Sequence, residues 1–227
     1  NKHAKLEHSC ESCHGPGAEH SAMKASELMK LKKDKKDTKI NLKDAKSGKV
    51  CFECHAAGGE NTLTLASDLL IDHLQESVEM KYNKHTKFKV TCTMCHDAHL
   101  PVSAKKGIKR GCLVCHRGKY AMPIEIAAME DLACEDCHMP LAVKHEKENK
   151  KGDYVYGDVK SHVFGITADP DYTLNDGSGK ATVTDDDLVR LTVEQTCGAC
   201  HMSGEAHNMA RAEMLEWATK IHPEKED

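Results

Sequence analysis

Six copies of the pattern C-x-x-C-H account for every cysteine in this chain. In each copy, two thiols lie three positions apart and a histidine follows the second thiol directly. The spacing is typical of c-type heme attachment, because both thiols add to the vinyl groups of one porphyrin while the histidine binds its iron. The motifs, numbered 1 to 6, are Cys10/Cys13/His14, Cys51/Cys54/His55, Cys92/Cys95/His96, Cys112/Cys115/His116, Cys134/Cys137/His138 and Cys197/Cys200/His201.

Other uses of paired cysteines explain this pattern less well. A zinc ribbon needs two C-x-x-C pairs per metal ion and gives no reason for a histidine after every pair. A disulfide between cysteines three positions apart closes too small a loop to brace a fold. A thioredoxin-type redox pair requires a strand-to-helix context that is absent here. The sequence therefore predicts six heme c groups, with the cysteines as attachment points and the six motif histidines as proximal iron ligands.

The chain has little material for an ordinary core. Only 4% of its 227 residues are aromatic and 30% are charged. Each motif has about 38 residues to itself, too few to enclose a porphyrin in its own apolar shell. We therefore expect a heme-packed core with few aromatic side chains, in which the hemes pack against one another. The expected architecture is a single domain over residues 1–227, mainly α-helical with extensive loops.

Local patterns refine this expectation. Motifs 3 to 5 follow one another closely, which gives a dense heme region over residues 85–140. The longest interval between motifs contains a β-containing insertion over residues 145–190, with a small β-hairpin region at about 154–184 around the turn Asn175-Asp176-Gly177. Strands are predicted at residues 154–159, 162–166 and 181–184. Helices are predicted at residues 21–33, 66–82, 184–196 and 205–221.

Each iron has a second axial position, and ten histidines remain for six such positions. Some of them recur at fixed offsets. Asn1-Lys2-His3 precedes motif 1 as Asn83-Lys84-His85 precedes motif 3, and in motifs 1 and 6 a histidine follows the proximal ligand by six residues. For any one histidine alone, a surface position without a role is an equally good interpretation. The first choices as distal ligands are His3, His20, His85, His99, His162 and His207, with His8, His73, His145 and His222 in reserve.

His99 follows the proximal ligand His96 by three residues, which is too close for it to reach the opposite face of the same porphyrin. We therefore expect it to bind a neighbouring heme, and this requires close contact between hemes. Iron with histidine on both faces is low-spin and coordinatively saturated, so that it passes electrons and binds no substrate. On this basis no catalytic residue is predicted, and the chain is expected not to be an enzyme.

Several stretches of the sequence resemble known multiheme families. C-E-S-C-H-G-P-G-A-E-H (10–20) and H-T-K-F-K-V-T-C-T-M-C-H-D-A-H (85–99) are similar to the pentaheme and decaheme cytochromes that relay electrons through the periplasm or across outer membranes. C-E-D-C-H-M-P (134–140) and K-S-H-V-F (160–164) resemble the tetraheme and octaheme cytochromes of nitrogen metabolism. These resemblances imply that His85, His99 and His162 are distal ligands. In size and heme density the chain is also similar to small cytochromes that polymerise into extracellular electron-conducting filaments.

The expected function is electron transfer along six hemes, as a periplasmic or extracellular carrier or conductor. Its partners would be redox proteins or extracellular electron acceptors, or further copies of the chain in a filament joined by heme ligation in trans through His3, with His8 and His20 as substitutes in that role. The alternative is a nitrite, hydroxylamine or sulfur-oxyanion reductase with one heme left open. The chain has no C-x-x-C-K motif of the pentaheme nitrite reductases, which counts against this alternative.

The same motifs predict the compartment. Heme is attached to C-x-x-C-H outside the cytoplasmic membrane, so we expect a signal peptide to have been removed before Asn1. No apolar run approaches the roughly 18 residues that span a bilayer, and no membrane anchor is expected. The formal net charge of -4, made more negative by heme propionates, argues against nucleic acid as a partner.

Overall fold

The attachment motifs themselves form much of the regular structure. The computed structural model describes residues 10–33, 47–56, 62–71, 76–117, 129, 131–204 and 207–221. The α-helices within these residues are α1 Cys10–His14, α2 Ala18–Ala22, α3 Ala25–Lys33, α4 Glu76–Lys81, α5 Lys84–Lys87, α6 Cys92–Cys95, α7 Cys134–His138, α8 Val193–His201 and α9 Arg211–Ala218. Two 3-10 helices cover Lys49–Glu53 and Cys112–Val114. The prediction of a mainly α-helical chain with extensive loops is confirmed.

Short strands form two small sheets. They are β1 Leu65–Ala66, β2 Leu69–Ile71, β3 Val143–Lys144, β4 Asn149–Lys151 and β5 Tyr154–Tyr156. In the three-stranded sheet, β1 pairs with β2 in antiparallel orientation and β2 pairs with β3 in parallel orientation, with Leu70 opposite Val143. β4 and β5 form a hairpin in which Lys150 lies opposite Val155. The small β region is thus present, although it includes strands outside the predicted range.

The described residues fall into two compact units. The first unit comprises those within residues 1–54 and 90–111, and the second comprises those within residues 55–89 and 112–227. Motifs 1 and 3 belong to the first unit, and motifs 4 to 6 belong to the second. The single domain over residues 1–227 stays a prediction. Among the helices of the described ranges, none is long and apolar enough to cross a membrane.

The helix predicted at residues 21–33 is divided into α2 and α3. Met23 has an extended backbone with a ψ of 143° and ends α2. The Glu27 carboxylate then accepts a hydrogen bond from the Lys24 N–H at 3.0 Å. This bond satisfies a donor that lacks an intrahelical partner, so a second helix begins there.

The helix predicted at residues 66–82 is wrong over its first part, where the leucine-rich run forms β1 and β2. Ser67 has a φ of 57° in the turn between these strands. Leu65, Leu69 and Leu70 are all buried. A short apolar run can fill both faces of a buried strand as well as one face of a helix, so hydrophobic periodicity does not separate the two. Helix α4 occupies the last part of the predicted range.

The helix predicted at residues 184–196 begins later than expected, at Val193. Thr192 is its N-cap, and the Thr192 N–H donates to Gln195 Oε1 at 2.8 Å. This half of a capping box fixes the start of the helix. Leu191, directly before the cap, is buried in the core without helical structure.

The strand predicted at residues 162–166 is also wrong, since this segment forms only an isolated bridge. Its backbone donors are taken by side chains. The His162 N–H donates to the Glu79 carboxylate, and the Val163 N–H donates to the Ser161 hydroxyl at 2.9 Å. Such local bonds compete with the ladder that a neighbouring strand would form.

Two further elements are shorter than predicted. The strand predicted at residues 154–159 ends with β5, because the Gly157 N–H donates to the Leu141 carbonyl instead of to β4. The helix predicted at residues 205–221 is reduced to α9, since Ala210 has an extended backbone immediately before it.

The predicted turn at Asn175-Asp176-Gly177 is present. The Gly177 N–H donates to Asn175 Oδ1 at 2.9 Å, and Gly177 has a φ of 87°. The turn brings Asn175 and Ala181 into an isolated antiparallel bridge. The strand predicted at residues 181–184 does not form, because the Thr184 hydroxyl donates to the Leu188 carbonyl and closes a second turn.

A buried aliphatic core lies in the second unit. At its centre, Leu70, Val163 and Leu191 have no exposed surface. In the first unit, the buried residues among those described are Gly48 and Gly107, so the described side chains provide no core there. Folding must offset chain entropy with buried apolar area. The expected heme-packed core stays a prediction for this unit.

Leu70 and Ile71 are adjacent on β2 and differ in burial, since Ile71 is 38% exposed. Leu70→Ala leaves a cavity, so we expect the heme-loaded protein to lose about 2–5 kcal/mol of unfolding free energy. Ile71→Ala is the matched control and should cost about 1 kcal/mol or less. Denaturant unfolding followed by circular dichroism measures both values. Equal losses would show that the core is not centred on Leu70.

Candidate heme-binding sites

Each attachment motif lies in a helical turn. Motifs 1, 3, 5 and 6 lie at α1, α6, α7 and α8, and motifs 2 and 4 lie at the two 3-10 helices. In an α-helix, side chains three and four positions apart lie on the same face. Cys10, Cys13 and His14 therefore share one face of α1. On this face a single porphyrin would receive both thioether bonds and its first iron ligand.

The structure differs from this arrangement at the second cysteines of motifs 2 and 4. Cys54 follows the end of the first 3-10 helix, and Cys115 follows the end of the second, so neither lies inside its helix. The Cys54 N–H donates to the Cys51 carbonyl and the Cys115 N–H donates to the Cys112 carbonyl, both at 3.2 Å. Each cysteine pair is therefore still held in one tight turn, but without the shared face of an α-helix.

Cys54, Cys115 and Cys200 are all exposed, although Cys200 lies within α8. The prediction assigns each of them to a heme, and the fold does not enclose these three thiols in a site made of protein. The physical reason is that the partner of such a thiol is the porphyrin edge, which must reach it from the open side of the turn. Attachment of heme at these three cysteines, as at the other nine, stays a prediction from the motifs.

The motif faces are accessible and partly apolar. All 12 cysteines are within the described residues, none forms a disulfide, and none is buried. Four large apolar residues that lie between the cysteines of their motifs are 42% to 57% exposed, namely Phe52, Met94, Leu113 and Val114. A porphyrin packed there would cover them. These features fit a c-type heme, which supplies one-electron redox chemistry at iron when bound.

Two proximal histidines are oriented by backbone carbonyl groups. His138 Nδ1 lies 2.8 Å from the Phe164 carbonyl oxygen. His201 Nδ1 lies 2.9 Å from the His207 carbonyl oxygen. A carbonyl can only accept a hydrogen bond, so each contact makes Nδ1 the protonated nitrogen. Nε2 is then the nitrogen that can bind iron.

A carboxylate orients the proximal histidine of motif 2. His55 Nδ1 lies 3.2 Å from Glu76 Oε1, on α4. Burial acts to raise the pKa of Glu76, but the hydrogen bond from His55 and that from its own backbone N–H outweigh burial and hold the pKa below its usual range. Glu76 is therefore ionised at neutral pH. A carboxylate partner makes an imidazole a stronger donor to iron and stabilises the ferric state.

The predicted distal ligand His162 is held by buried groups. Glu79 is buried, and its carboxylate accepts hydrogen bonds from the Ser161 hydroxyl and the His162 N–H. The same carboxylate lies 4.0 Å from His162 Nδ1. On the other side, the Asn83 amide donates to the His162 carbonyl at 3.0 Å. The backbone of His162 is thus fixed from two directions.

Two pairs of histidines have neighbouring rings, and each pair joins a proximal ligand with a predicted distal ligand. In the first unit, the ring centroids of His14 and His99 are 6.1 Å apart and their planes differ by 12°. In the second unit, the centroids of His85 and His116 are 5.8 Å apart and their planes differ by 82°. Burial and the neighbouring His116 lower the pKa of His85. This favours the neutral imidazole that binds metal ions.

Two further predicted distal ligands, His20 and His207, are also among the described residues. His20 is half-buried on α2, and His207 is exposed in the loop before α9. Of the reserve candidates, His145 is exposed. The histidines that lie outside the described residues are His3, His8, His73 and His222. The roles of all these residues stay predictions.

Cysteines of different motifs lie side by side in the first unit. The thiols of Cys51 and Cys92 share a hydrogen bond, and this bond together with burial raises the pKa of Cys51. In the heme-loaded protein both sulfurs would be thioethers and would no longer titrate. The contact is therefore informative for its geometry, because it places the attachment points of motifs 2 and 3 close together.

Attachment cysteines of different motifs also lie near one another in the second unit. Burial and the hydrogen-bonded neighbour Cys134 raise the pKa of Cys112. Burial and the nearby Cys197 raise the pKa of Cys137 to about 11. These contacts bring motif 4 close to motif 5 and motif 5 close to motif 6.

Three residues of the sites were not predicted from the sequence. Glu76 and Glu79 are three positions apart on α4, a spacing common to many surface helices, and only the fold brings them to His55 and His162. Phe164 belongs to the K-S-H-V-F stretch, which is the one signal that could have drawn attention to it.

Comparison with known proteins finds a similar fold and no similar sequence. The chain matches no known protein family. It also matches no curated protein. Among solved structures, the fold is similar to the octaheme sulfite reductase MccA of Wolinella succinogenes in form II, with a TM-score of 0.58 and 15% sequence identity. The match covers 93% of this chain and 40% of the reductase, so this chain spans less than half the length of that protein.

This chain therefore shares its fold with part of an octaheme protein, which agrees with heme binding by its cysteine pairs. The similarity also overturns the expectation that the chain is not an enzyme, because the protein that shares the fold is a reductase. That expectation assumed two histidines on every iron. Close pairs of a proximal and a predicted distal histidine are found among the described residues at motifs 1 and 4.

Glu76→Gln preserves the size of the side chain and removes its charge. We expect the midpoint potential of one heme, that of motif 2, to rise on the order of tens of millivolts, because His55 becomes a weaker donor to ferric iron. A redox titration monitored by electron paramagnetic resonance (EPR) measures the change. Glu53→Gln, at an exposed glutamate inside the same motif, is the matched control and should shift no potential. Unchanged potentials in Glu76→Gln would exclude Glu76 as a partner of a ligand.

Proposed function

We propose that the chain is a hexaheme c-type cytochrome that passes electrons along six covalently bound hemes. The observation that carries the proposal is the ring separation in two histidine pairs, 6.1 Å for His14 with His99 and 5.8 Å for His85 with His116. Two imidazoles that bind one metal ion from opposite faces, each at about 2 Å, have centroids roughly 6 Å apart. His99 is then the distal ligand of the motif 1 iron and His85 that of the motif 4 iron. Both irons are closed to substrate and suited to electron transfer.

The environment of His99 supports this assignment. The backbone N–H of His99 donates to Asp97 Oδ1 at 2.9 Å, and its ring Nδ1 lies 3.5 Å from the same oxygen. A carboxylate at Nδ1 leaves Nε2 as the nitrogen that binds iron. His99 also lies three residues after His96, the proximal ligand of motif 3. One short segment therefore holds heme 3 and supplies a ligand to heme 1, and the two hemes are neighbours.

The contacts between attachment cysteines extend this order. The thiol contact between motifs 2 and 3 supports adjacent hemes 2 and 3. The proximity of motif 5 to motifs 4 and 6 supports two further adjacent pairs in the second unit. We propose the order 2–3–1 for hemes 1 to 3 and the order 4–5–6 for hemes 4 to 6. In each group the middle heme exchanges electrons with both of its neighbours.

We propose that this electron transfer takes place in the periplasm or outside the cell, because heme is attached to C-x-x-C-H motifs outside the cytoplasmic membrane. The partners are redox proteins or extracellular electron acceptors. The size and heme density of the chain favour, as a further form of the same function, a filament in which His3 binds an iron of another copy.

A second candidate function is the reduction of a small substrate at an open iron. The fold similarity to an octaheme sulfite reductase favours it. The irons of motifs 1 and 4 do not suit this role, since each has two histidines in the proposed arrangement. The substrate would bind at the iron of motif 2, 3, 5 or 6 and would receive electrons through the closed hemes. Both candidate functions therefore use the same relay.

Replacing a proposed distal ligand opens one iron. In His99→Ala and in His85→Ala we expect one of the six ferric hemes to change from low-spin to high-spin, because water replaces a strong-field imidazole. The reduced variants should each bind one additional equivalent of carbon monoxide. EPR and optical spectroscopy quantify both changes.

The matched control for these variants is Lys147→Ala. Lys147 is exposed and cannot bind iron in place of a histidine, and its backbone N–H is held by Asp158 Oδ2 at 3.3 Å, so its loop should keep its conformation. We expect the spin state and carbon monoxide binding of this variant to equal those of the native protein. If neither His99→Ala nor His85→Ala gains high-spin iron, the proposed ligand pairs are wrong.

The reductase candidate predicts turnover by the native protein. With reduced viologen as electron donor, sulfite, nitrite or hydroxylamine should reoxidise the hemes repeatedly, and the reduced protein should bind one equivalent of carbon monoxide at its open iron. The measurement is the rate of viologen oxidation with each substrate. The matched blank is the same assay without substrate. Absence of both turnover and carbon monoxide binding would reject this candidate and leave the relay intact.

A further inference from the structure

We propose that Phe164 is a positioning residue that holds the ring of His85 at right angles to the ring of His116, and thereby gives the motif 4 iron a highly anisotropic low-spin state. The inference rests on the proposed function, since it takes His85 and His116 as the two ligands of one iron. In this proposal Phe164 binds no iron itself, but it determines the electronic state of one heme.

The Phe164 ring packs directly against the imidazole of His85. Their centroids are 4.6 Å apart and their planes differ by 77°, an edge-to-face arrangement that aromatic rings prefer. The terminal torsion of a histidine side chain is broad, so an imidazole takes its plane from its neighbours. A half-buried phenyl ring at this distance restricts the rotation of the His85 ring.

The position of Phe164 is itself fixed by its backbone. Its carbonyl accepts a hydrogen bond from His138 Nδ1 at 2.8 Å. The preceding Val163 has no exposed surface, and its N–H donates to the hydroxyl of Ser161, which is also fully buried. The backbone that carries the phenyl ring is therefore held in place, so the ring can restrict the rotation of the His85 imidazole.

One buried amide connects this segment to His85. Asn83 Oδ1 accepts a hydrogen bond from the His85 N–H at 2.8 Å, and its amide nitrogen donates to the His162 carbonyl at 3.0 Å. His162 is two residues before Phe164. Asn83 thus connects the two backbone segments that carry the rings. The remaining motion is rotation of the His85 ring, and the Phe164 ring restricts it.

The angle between two axial imidazole planes determines the splitting of the iron d orbitals in a low-spin ferric heme. Nearly parallel planes give a rhombic EPR spectrum, and perpendicular planes give a spectrum with a single very large g value. The two proposed pairs differ in this angle, with 12° for His14 and His99 and 82° for His85 and His116. The motif 1 iron is therefore an internal reference for the motif 4 iron.

The test records EPR spectra of the oxidised, heme-loaded protein. The native spectrum should contain a large-g component that His85→Ala removes, which assigns that component to motif 4. Phe164→Leu keeps an apolar side chain without a flat ring, and we expect it to lose this component, one of six heme equivalents, while the rhombic signal of motif 1 persists. Phe164→Tyr keeps the ring and should keep the component. Phe88→Leu, at a phenylalanine of the same unit that is 80% exposed, is the matched control and should change nothing.

The outcomes separate this inference from the proposed function. An unchanged large-g component in Phe164→Leu overturns the inference and leaves the relay intact, and so does an equal loss in Phe164→Tyr. If His85→Ala removes no large-g component, the proposed ligand pair itself is wrong. Heme content is measured for each variant, and Phe164→Met replaces Phe164→Leu if the latter does not accumulate with six hemes.

Discussion

The spacing of C-x-x-C-H is the constraint on which the rest of the structure depends. Each motif forms a helical turn, which holds two cysteines and one histidine close together. A porphyrin bound there would need the face of that turn to be free of protein, and accordingly no cysteine is buried. Helices that begin and end with a motif are short. In the first unit the described residues bury only Gly48 and Gly107, so the proposed hemes would supply the core there.

Side chains outside the motifs hold several histidines in defined orientations, which the motif sequences alone do not specify. Helix α4 presents Glu76 to His55 and Glu79 to His162, so one element orients two histidines through carboxylates. Asn83 fixes the backbone of His85 and that of His162. Iron ligands that are held in this way move little when the oxidation state changes, which favours fast electron exchange. The aliphatic core of the second unit supports this frame, since Val163 belongs to it.

The sequence was sufficient to predict features that depend on residues close together in the chain. The attachment cysteines and proximal histidines were predicted from spacing alone, and His85 was predicted as a distal ligand from the N-K-H repeat. At the second copy of that repeat, Asn83 caps α5 and so fixes the backbone of His85. Spacing did not predict the type of turn, since Cys54 and Cys115 lie just beyond 3-10 helices and not within α-helices.

Long-range placement could not be predicted in this way. Nothing near His99 in the sequence indicates that its ring lies beside His14, and nothing near Glu76 points to His55. The leucine-rich run at β1 and β2 was assigned to a helix because its apolar pattern fits both structures. The expectation of a non-enzyme rested on a count of spare histidines, and it was overturned by a fold similarity to a reductase that residue spacing could not reveal.

The measurement that tests the central claim most directly is a crystal structure of the heme-loaded protein with iron positions from anomalous scattering. We expect six irons, with His99 opposite His14 on the motif 1 iron and His85 opposite His116 on the motif 4 iron. Fewer than six irons, or His85 and His99 bound to no iron or to other irons, would contradict this account.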